Sequence, residues 1–353
     1  MLYRLARSIL FQMDPETAHG LIMSNIDWAT ATGVTRLVAG VPKPDPVTVM
    51  GIRFPNTVGL AAGMDKTGAH VTALGRLGFG HVEVGTFTPI AQPGNPKPRC
   101  WRLIPKEAVV NYMGFNNPGV EAGVQNLAAS APAFREKGGV LGINIGKQTA
   151  TPVENALPDY EVLIEKSYAA ADYLAIDISC PNTTNLTVLQ EGDYLDDLVR
   201  GISAKRNEMA DKTGRYVPVT VKIGPDLSDD ATRRAADVFV KYGMDGITAT
   251  NTTRSRKGVE GEPKSENPGG LSGKPLFERS TQVVKLLSDH LQGTLPIIAV
   301  GGIMTPENAV AKMEAGASLI QLYTGFIYAG PDLIRQTSDA VAAWRAAQTN
   351  KKA

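Results

Sequence analysis

Cysteine is nearly absent from this chain, with two residues in 353, Cys100 and Cys180. Thiols so few and so far apart in sequence exclude a disulfide-stapled scaffold and a zinc ribbon, and they fit a reducing compartment. Aromatic residues make up only 6%, and neither sign of charge dominates: Lys+Arg 36 against Asp+Glu 35 leaves a formal net charge of +1. That balance provides no whole-protein field to recruit nucleic acid, and no nucleic-acid partner is expected. No apolar run approaches the roughly 20 residues of a membrane-spanning helix, and no small-residue cleavage site follows the opening MLYRLARSILFQ to make a signal peptide. The Walker A pattern and a strand-initiated GxGxxG are both missing, which demotes ATP and NAD as cofactors. No cluster with metal-ligand spacing is present, so no metal is expected.

What is there describes a soluble globular protein: 43% hydrophobic and 20% charged residues, with 36 Gly and 23 Pro. The length alone suggests roughly two domains, and one α/β barrel of about 250 residues with an appendage fits as well. The appendage is at the N-terminus. Leu2, Leu5, Ala6, Ile9 and Leu10 fall at helical spacing, with Arg4 and Arg7 on another face, the pattern of a short basic amphipathic helix. Asp14 then reads as the cap of a second helix with Pro15 at its first position, and Ala18, Leu21, Ile22, Ile26 and Ala29 form its apolar stripe, ending near Gly33. From periodicity alone, both stripes are expected to pack on the main domain. The run Val41-Pro42-Lys43-Pro44-Asp45-Pro46 marks a boundary, dividing residues 1–40 from 41–353.

Beyond it, short β-rich runs alternate with helical patterns at 57–65, 81–87, 139–146, 173–179, 217–223, 246–251, 295–302 and 318–325. Eight such units predict a (β/α)8 TIM barrel, whose chemistry collects at the C-terminal strand ends. Those ends carry Asp65-Lys66, Thr86, Asn144, Asp177 to Cys180, Lys222, Asn251-Thr252, Gly301-Gly302 and Tyr323-Thr324-Gly325. Gly-Gly after strand seven and Thr-Gly after strand eight lie where such barrels bind phosphate through backbone N–H groups. A flavin mononucleotide suits one phosphate site there, with its ring across the barrel mouth. Lys222, ending strand five, is placed to stabilise negative charge on a reduced flavin.

Taken together, GLAAGMDK (59–66), Gly85-Thr86, NYMGFNNPG (111–119), LGINIGK (141–147), DISCPNT (177–183), VKIGPDLS (221–228), TATNTT (248–253), GGLSGKPL (269–276) and VGGI (300–303) are familiar. The chain resembles dihydroorotate dehydrogenase, in particular the membrane-associated, quinone-reducing class, over essentially its whole length. Each motif alone is weak, but nine in order on the correct strands are specific. The resemblance implies that residues 1–40 form a two-helix hood whose apolar tunnel, involving Leu5, Ile9, Leu21 and Ile22, leads a quinone to the flavin. It implies FMN contacts from Ala62, Gly63, Thr86, Asn144, Asp177, Lys222, Thr250, Gly273, Gly302, Tyr323 and Thr324. Substrate contacts would come from Lys66, Asn111, Tyr112, Met113, Gly114, Phe115, Asp177, Asn182, Asn251 and Thr252. His19 and Arg102 would line the quinone tunnel, and the protein would sit peripherally on the cytoplasmic side of the cell membrane. The residue types suit the ligand: a planar anion rich in amides needs a cation for its carboxylate and side-chain amides for its ring edge.

Two positions depart from the pattern. Relatives of the quinone-reducing class usually place a serine base where this chain has Cys180, and a thiol ionises more readily than a hydroxyl, its reference pKa being about 8.5. Relatives carry Asn where this chain has Asp177, so an N–H donor is exchanged for a carboxylate beside an anionic ligand, which disfavours a thiolate nearby. The loop 183–187 also lacks the Pro-Gly and Arg common after this motif. The expected activity is FMN-dependent oxidation of (S)-dihydroorotate to orotate with a quinone acceptor, in pyrimidine biosynthesis. Two alternatives remain at this point: the same oxidation with a soluble acceptor, or a flavin-binding module whose turnover is impaired by Asp177 and Cys180.

Overall fold

The computed structural model describes residues 2–183 and 186–352. Eight parallel strands close into a barrel: β1 (Val58–Leu60), β2 (His81–Phe87), β3 (Val140–Gly146), β4 (Tyr173–Asp177), β5 (Val219–Ile223), β6 (Gly246–Ala249), β7 (Ile297–Val300) and β8 (Leu319–Leu322). Each pairs with its sequence neighbours, and β8 pairs with β1, Ile320 opposite Val58. Parallel strands covered on both faces read as nearly continuous apolar runs, and every residue of β2 to β8 is buried. The connecting helices begin where local chemistry stops the chain extending. The Ser228 and Thr305 side chains accept from Ala231 and Asn308 N–H respectively, opening Asp229–Lys241 and Pro306–Glu314.

Two additions flank the barrel. A hairpin, Val47–Val49 with Ile52–Phe54, closes its N-terminal end, and Val49 and Phe54 pack there against Val140, Tyr173, Ala175, Ile298 and Leu319. At the other end a three-stranded antiparallel sheet joins Cys100–Leu103, Ala108–Asn111 and Gly270–Gly273. This small sheet, absent from the eight-strand reading, brings residues as distant in sequence as Ala108 and Gly273 to one side of the mouth.

The N-terminus forms α1 (Leu2–Leu10) and α2 (Pro15–Ala31), with Asp14 capping α2 through Thr17 N–H as its sequence predicts. Helix α2 buries Ala18, Met23, Ile26 and Thr30, while Leu21 and Ile22 of its predicted stripe stay exposed. On α1 the expected packing is inverted. Leu2, Leu5 and Ile9 are 55%, 63% and 67% exposed, whereas Arg7 turns inward, donating to the Tyr328 carbonyl at 2.7 Å and lying over the Phe11 ring. The apolar stripe of α1 therefore does not pack on the barrel. A guanidinium reaches an unpaired backbone carbonyl that an aliphatic side chain cannot satisfy. No described helix is long and apolar enough to cross a membrane.

Candidate active site

The strand ends converge on one cleft. Leaving β1, the chain turns through Ala62 and Gly63 to Lys66, whose Nζ donates to the Gly63 carbonyl at 2.8 Å. The neighbouring Asp65 carboxylate is consumed locally, accepting from the N–H groups of Thr67, Gly68 and His70. Lys66 therefore has no carboxylate within 4.0 Å among the described residues. Burial pushes its pKa down to about 8, opposed only in part by Cys100, Cys180 and Glu16. A desolvated cation with no anion of its own is the signature of a site for an anionic ligand.

Side-chain amides gather at the same end of the barrel. Asn182 donates to Asn111 Oδ1 at 2.8 Å, and Asn111 lies at the end of its sheet strand, 3.4 Å from the Gly270 carbonyl. Asn182 Oδ1 and Thr252 Oγ1 are buried with no hydrogen-bond partner. Unpaired buried polar atoms are costly, and a planar ligand with ring N–H and C=O groups would satisfy them. Asn251 donates to both oxygens of Asp177, at 3.3 and 3.2 Å, and to Ser179 Oγ at 3.1 Å. The run from Asn111 to Phe115 carries its own constraint. Gly114 and Phe115 have φ of +70° and +53°, and the Gln92 amide holds both of their carbonyls. The Tyr112 N–H donates to the Arg99 carbonyl, and the Met113 carbonyl accepts from Asn95 N–H.

Lys222 is buried at the end of β5 rather than on the surface, 3.9 Å from Asp177 Oδ2. The charge that Asp177 introduces thus faces a cation and an amide donor, which lessens the expected conflict with an anionic ligand. Its effect on Cys180 stands. Burial first, then Asp177, pushes the Cys180 thiol up to about 12, so the advantage expected of a thiol over a hydroxyl is much reduced. Thr183 is buried, and residues 184 and 185 of the following loop lie outside the described residues.

The cofactor candidates line the same cleft. Thr86 donates to Asn144 Oδ1 at 2.6 Å, Thr250 lies buried after β6, and both follow cis peptides. Thr324 donates to Ser272 Oγ at 2.8 Å beside Gly273, and the Tyr323 hydroxyl donates to the Gly63 carbonyl at 3.3 Å. At Gly302 (φ +73°) a Cβ would stand 2.4 Å from Phe277 N, so only glycine lets this turn approach the helix behind it.

Sequence reasoning missed the polar layer beneath the site. Glu83, fully buried in β2, accepts from Asn144 Nδ2 (2.9 Å), the Tyr173 hydroxyl (3.0 Å) and Gln321 Nε2 (2.8 Å). These bonds fix which way the Asn144 amide faces. A glutamate inside the apolar run HVEVGTF was the available signal. Also missed was Arg99, which pairs with both oxygens of Glu16 at 3.0 Å while donating to the Pro93 and Asn95 carbonyls. Asn95 in turn donates to the Asn182 carbonyl at 2.9 Å, so α2 is tied to the segment that carries Asn182.

On the hood side, His19 is half-buried and its pKa is lowered to about 4 by burial and then by Lys66, leaving it neutral. Arg102 stacks over Phe11 at 4.8 Å and donates to the Met13 carbonyl at 2.9 Å. Arg102 lies where the two helices meet the small sheet, and His19 faces the turn that carries Asp65 and Lys66.

A family model, dihydroorotate dehydrogenase, matches residues 46–343. Curated relatives named dihydroorotate dehydrogenase (quinone) include one from Dechloromonas aromatica, 50% identical over 97% of this chain and 98% of its own. Another, from Akkermansia muciniphila, is 51% identical over 97% of each chain. A crystal structure of DHODH from Eimeria tenella in complex with ferulenol superposes with a TM-score of 0.86 at 35% identity, covering 95% of this chain and 93% of that one. With the strand order, the cleft and this agreement along nearly the full length, the chain belongs to the dihydroorotate dehydrogenase family.

Proposed function

We infer that this protein oxidises (S)-dihydroorotate to orotate with bound FMN and passes the electrons to a quinone. The observation that carries the reading is Lys66, a half-buried cation with no carboxylate within 4.0 Å among the described residues, at the same end of the barrel as the amides of Asn111, Asn182 and Asn251. Lys66 holds the substrate carboxylate, and the three amides meet the ring N–H and C=O groups, with Asn182 Oδ1 and Thr252 Oγ1 gaining partners. Cys180 Sγ, as thiolate, takes the proton from one ring carbon. FMN, when bound, supplies the hydride acceptor and the path of electrons to the quinone. Lys222 and Asn144, the latter oriented by Glu83, would hold the flavin, with the Lys222 ammonium supplying positive charge to stabilise its reduced form. The turns at Gly302 and Tyr323-Thr324 offer backbone N–H groups to the phosphate.

The acceptor side follows from the hood. Residues 1–40 form a helical hood packed on the barrel through Met23 and Ile26, whose exposed Leu2, Leu5, Ile9, Leu21, Ile22 and Trp28 suit the hydrocarbon edge of a membrane, with Arg4 available to lipid headgroups on its cytoplasmic face. Quinone would enter between the helices, past neutral His19, to Arg102, whose guanidinium retains donors for a quinone carbonyl. The test is a steady-state assay of orotate formation with acceptors in parallel, and release of the flavin by heat for identification. Turnover with a quinone and release of FMN are expected; turnover with fumarate or NAD but not quinone would replace the acceptor assignment.

A further inference from the structure

Lys312, on the helix Pro306–Glu314, has no exposed surface, yet it carries an ammonium into the wall of the barrel. Its Nζ donates to Ser280 Oγ at 2.6 Å, and its alkyl stem leaves Nζ 5.2 Å from the Phe277 ring centroid. No carboxylate lies within 4.0 Å of it among the described residues. Burial pushes its pKa down to about 7, with no acidic group opposing the shift. Buried charges are ordinarily paired, so this one calls for an anion that the chain does not supply.

Its neighbours say where that anion belongs. Ser280 Oγ also lies 2.9 Å from the Gly301 carbonyl, as close as it lies to the Leu276 carbonyl of the preceding turn, with Phe277 O at 3.1 Å, so the serine holding the ammonium sits directly against the Gly301-Gly302 turn. That turn has φ of +113° and +73°, and Gly302 presses against the backbone of Phe277, on the first turn of the helix that holds Ser280. We propose that Lys312 is the buried counter-charge for the phosphate of the flavin held at the Gly301-Gly302 turn, and so determines the preference for the phosphorylated cofactor over unphosphorylated riboflavin. The proposal rests on the FMN reading above. Lys312 acts through space and through Ser280 rather than by touching the phosphate, and it is a specificity determinant for the cofactor rather than a catalytic residue.

The test is equilibrium binding of FMN and of riboflavin to the full-length chain freed of flavin, as wild type, Lys312→Met and Lys312→Gln, with the melting temperature of each apoprotein recorded. Loss of one uncompensated charge interaction at low effective dielectric should weaken FMN by roughly tenfold and leave riboflavin unchanged in both variants. The apoprotein variants should melt no lower than wild type, since an unpaired buried charge has been removed. A purely structural lysine would instead weaken both flavins together or lower the apoprotein melting temperature. Equal loss of both ligands, no loss of FMN, or failure of both variants to fold overturns the proposal. Wild-type protein that binds neither flavin, or binds both equally, overturns the FMN reading itself and is seen before any variant is made.

Discussion

Lys66 carries a charge that the described protein does not neutralise, and this fixes how ligand binding responds to pH. With its pKa held at about 8 by burial, Lys66 is a cation below that pH and loses its proton above it. Orotate affinity, read from perturbation of the flavin spectrum, should be flat from pH 6 to 7.5 and then fall by about tenfold per pH unit above 8. Lys66→Met should abolish both the affinity and the slope, and unchanged binding to pH 10 would remove Lys66 as the carboxylate partner. Cys180 titrates in the opposite sense. Burial and Asp177 raise it to about 12, so flavin reduction at saturating dihydroorotate, where the loss of Lys66 binding does not enter, should accelerate with pH without reaching a plateau by pH 10. Asp177→Asn removes one raising influence and should move that rise to lower pH. Cys180→Ala should lose nearly all reduction while keeping its flavin, and near-normal reduction would end the assignment of Cys180 as base. The identity of these residues was legible because a motif names them. Their electrostatics were not, because the pairing of Asp177 with Lys222 and Asn251 joins three strands distant in sequence.

At the scale of elements, local chemistry was read well and facing was not. Asp14 caps α2 as expected because a cap is decided within three residues. The barrel strands were legible from their apolar runs, but the three-stranded sheet over the mouth was not, since its strands lie in separate excursions and pair only through tertiary contact. Helix α1 shows the limit of periodicity: the stripe Leu2, Leu5, Ile9 is real, yet Arg7 and Tyr3 face the barrel, bonded to the Tyr328 and Ile327 carbonyls. A hydrophobic stripe tells which side is apolar, not what covers it. The exposed stripe yields a prediction. Leu5→Lys with Ile9→Lys should leave the melting temperature within about 2 °C, because exposed positions contribute little to stability. The pair should cut turnover with a membrane-embedded quinone at least several-fold and spare turnover with a water-soluble analogue. Equal turnover with both acceptors would refute the hood's contact with lipid.

For the whole molecule, acid stability follows from two histidines held neutral. His81 is fully buried with neither ring nitrogen partnered, and burial lowers its pKa from 6.5 to about 3; His19 is lowered to about 4. The unfolded chain binds protons at both sites below pH 6.5 while the folded chain does not. The stability these two groups contribute is therefore fully present above about 6.5 and falls as pH drops toward 4, by up to about 1.4 kcal/mol per unit for each fully buried histidine. His19, being only half-buried, contributes less. His81→Leu should flatten the fall in melting temperature between pH 6.5 and 4, and an unchanged slope would show that carboxylates dominate instead.

Anaerobic stopped-flow mixing of the purified flavoprotein with saturating dihydroorotate, with no quinone present, tests most directly whether this cleft oxidises dihydroorotate. Bleaching of the flavin absorbance, faster at higher pH, is the predicted result. A flavin that stays bound and oxidised at every pH would contradict the account and leave a flavin-binding protein without this substrate.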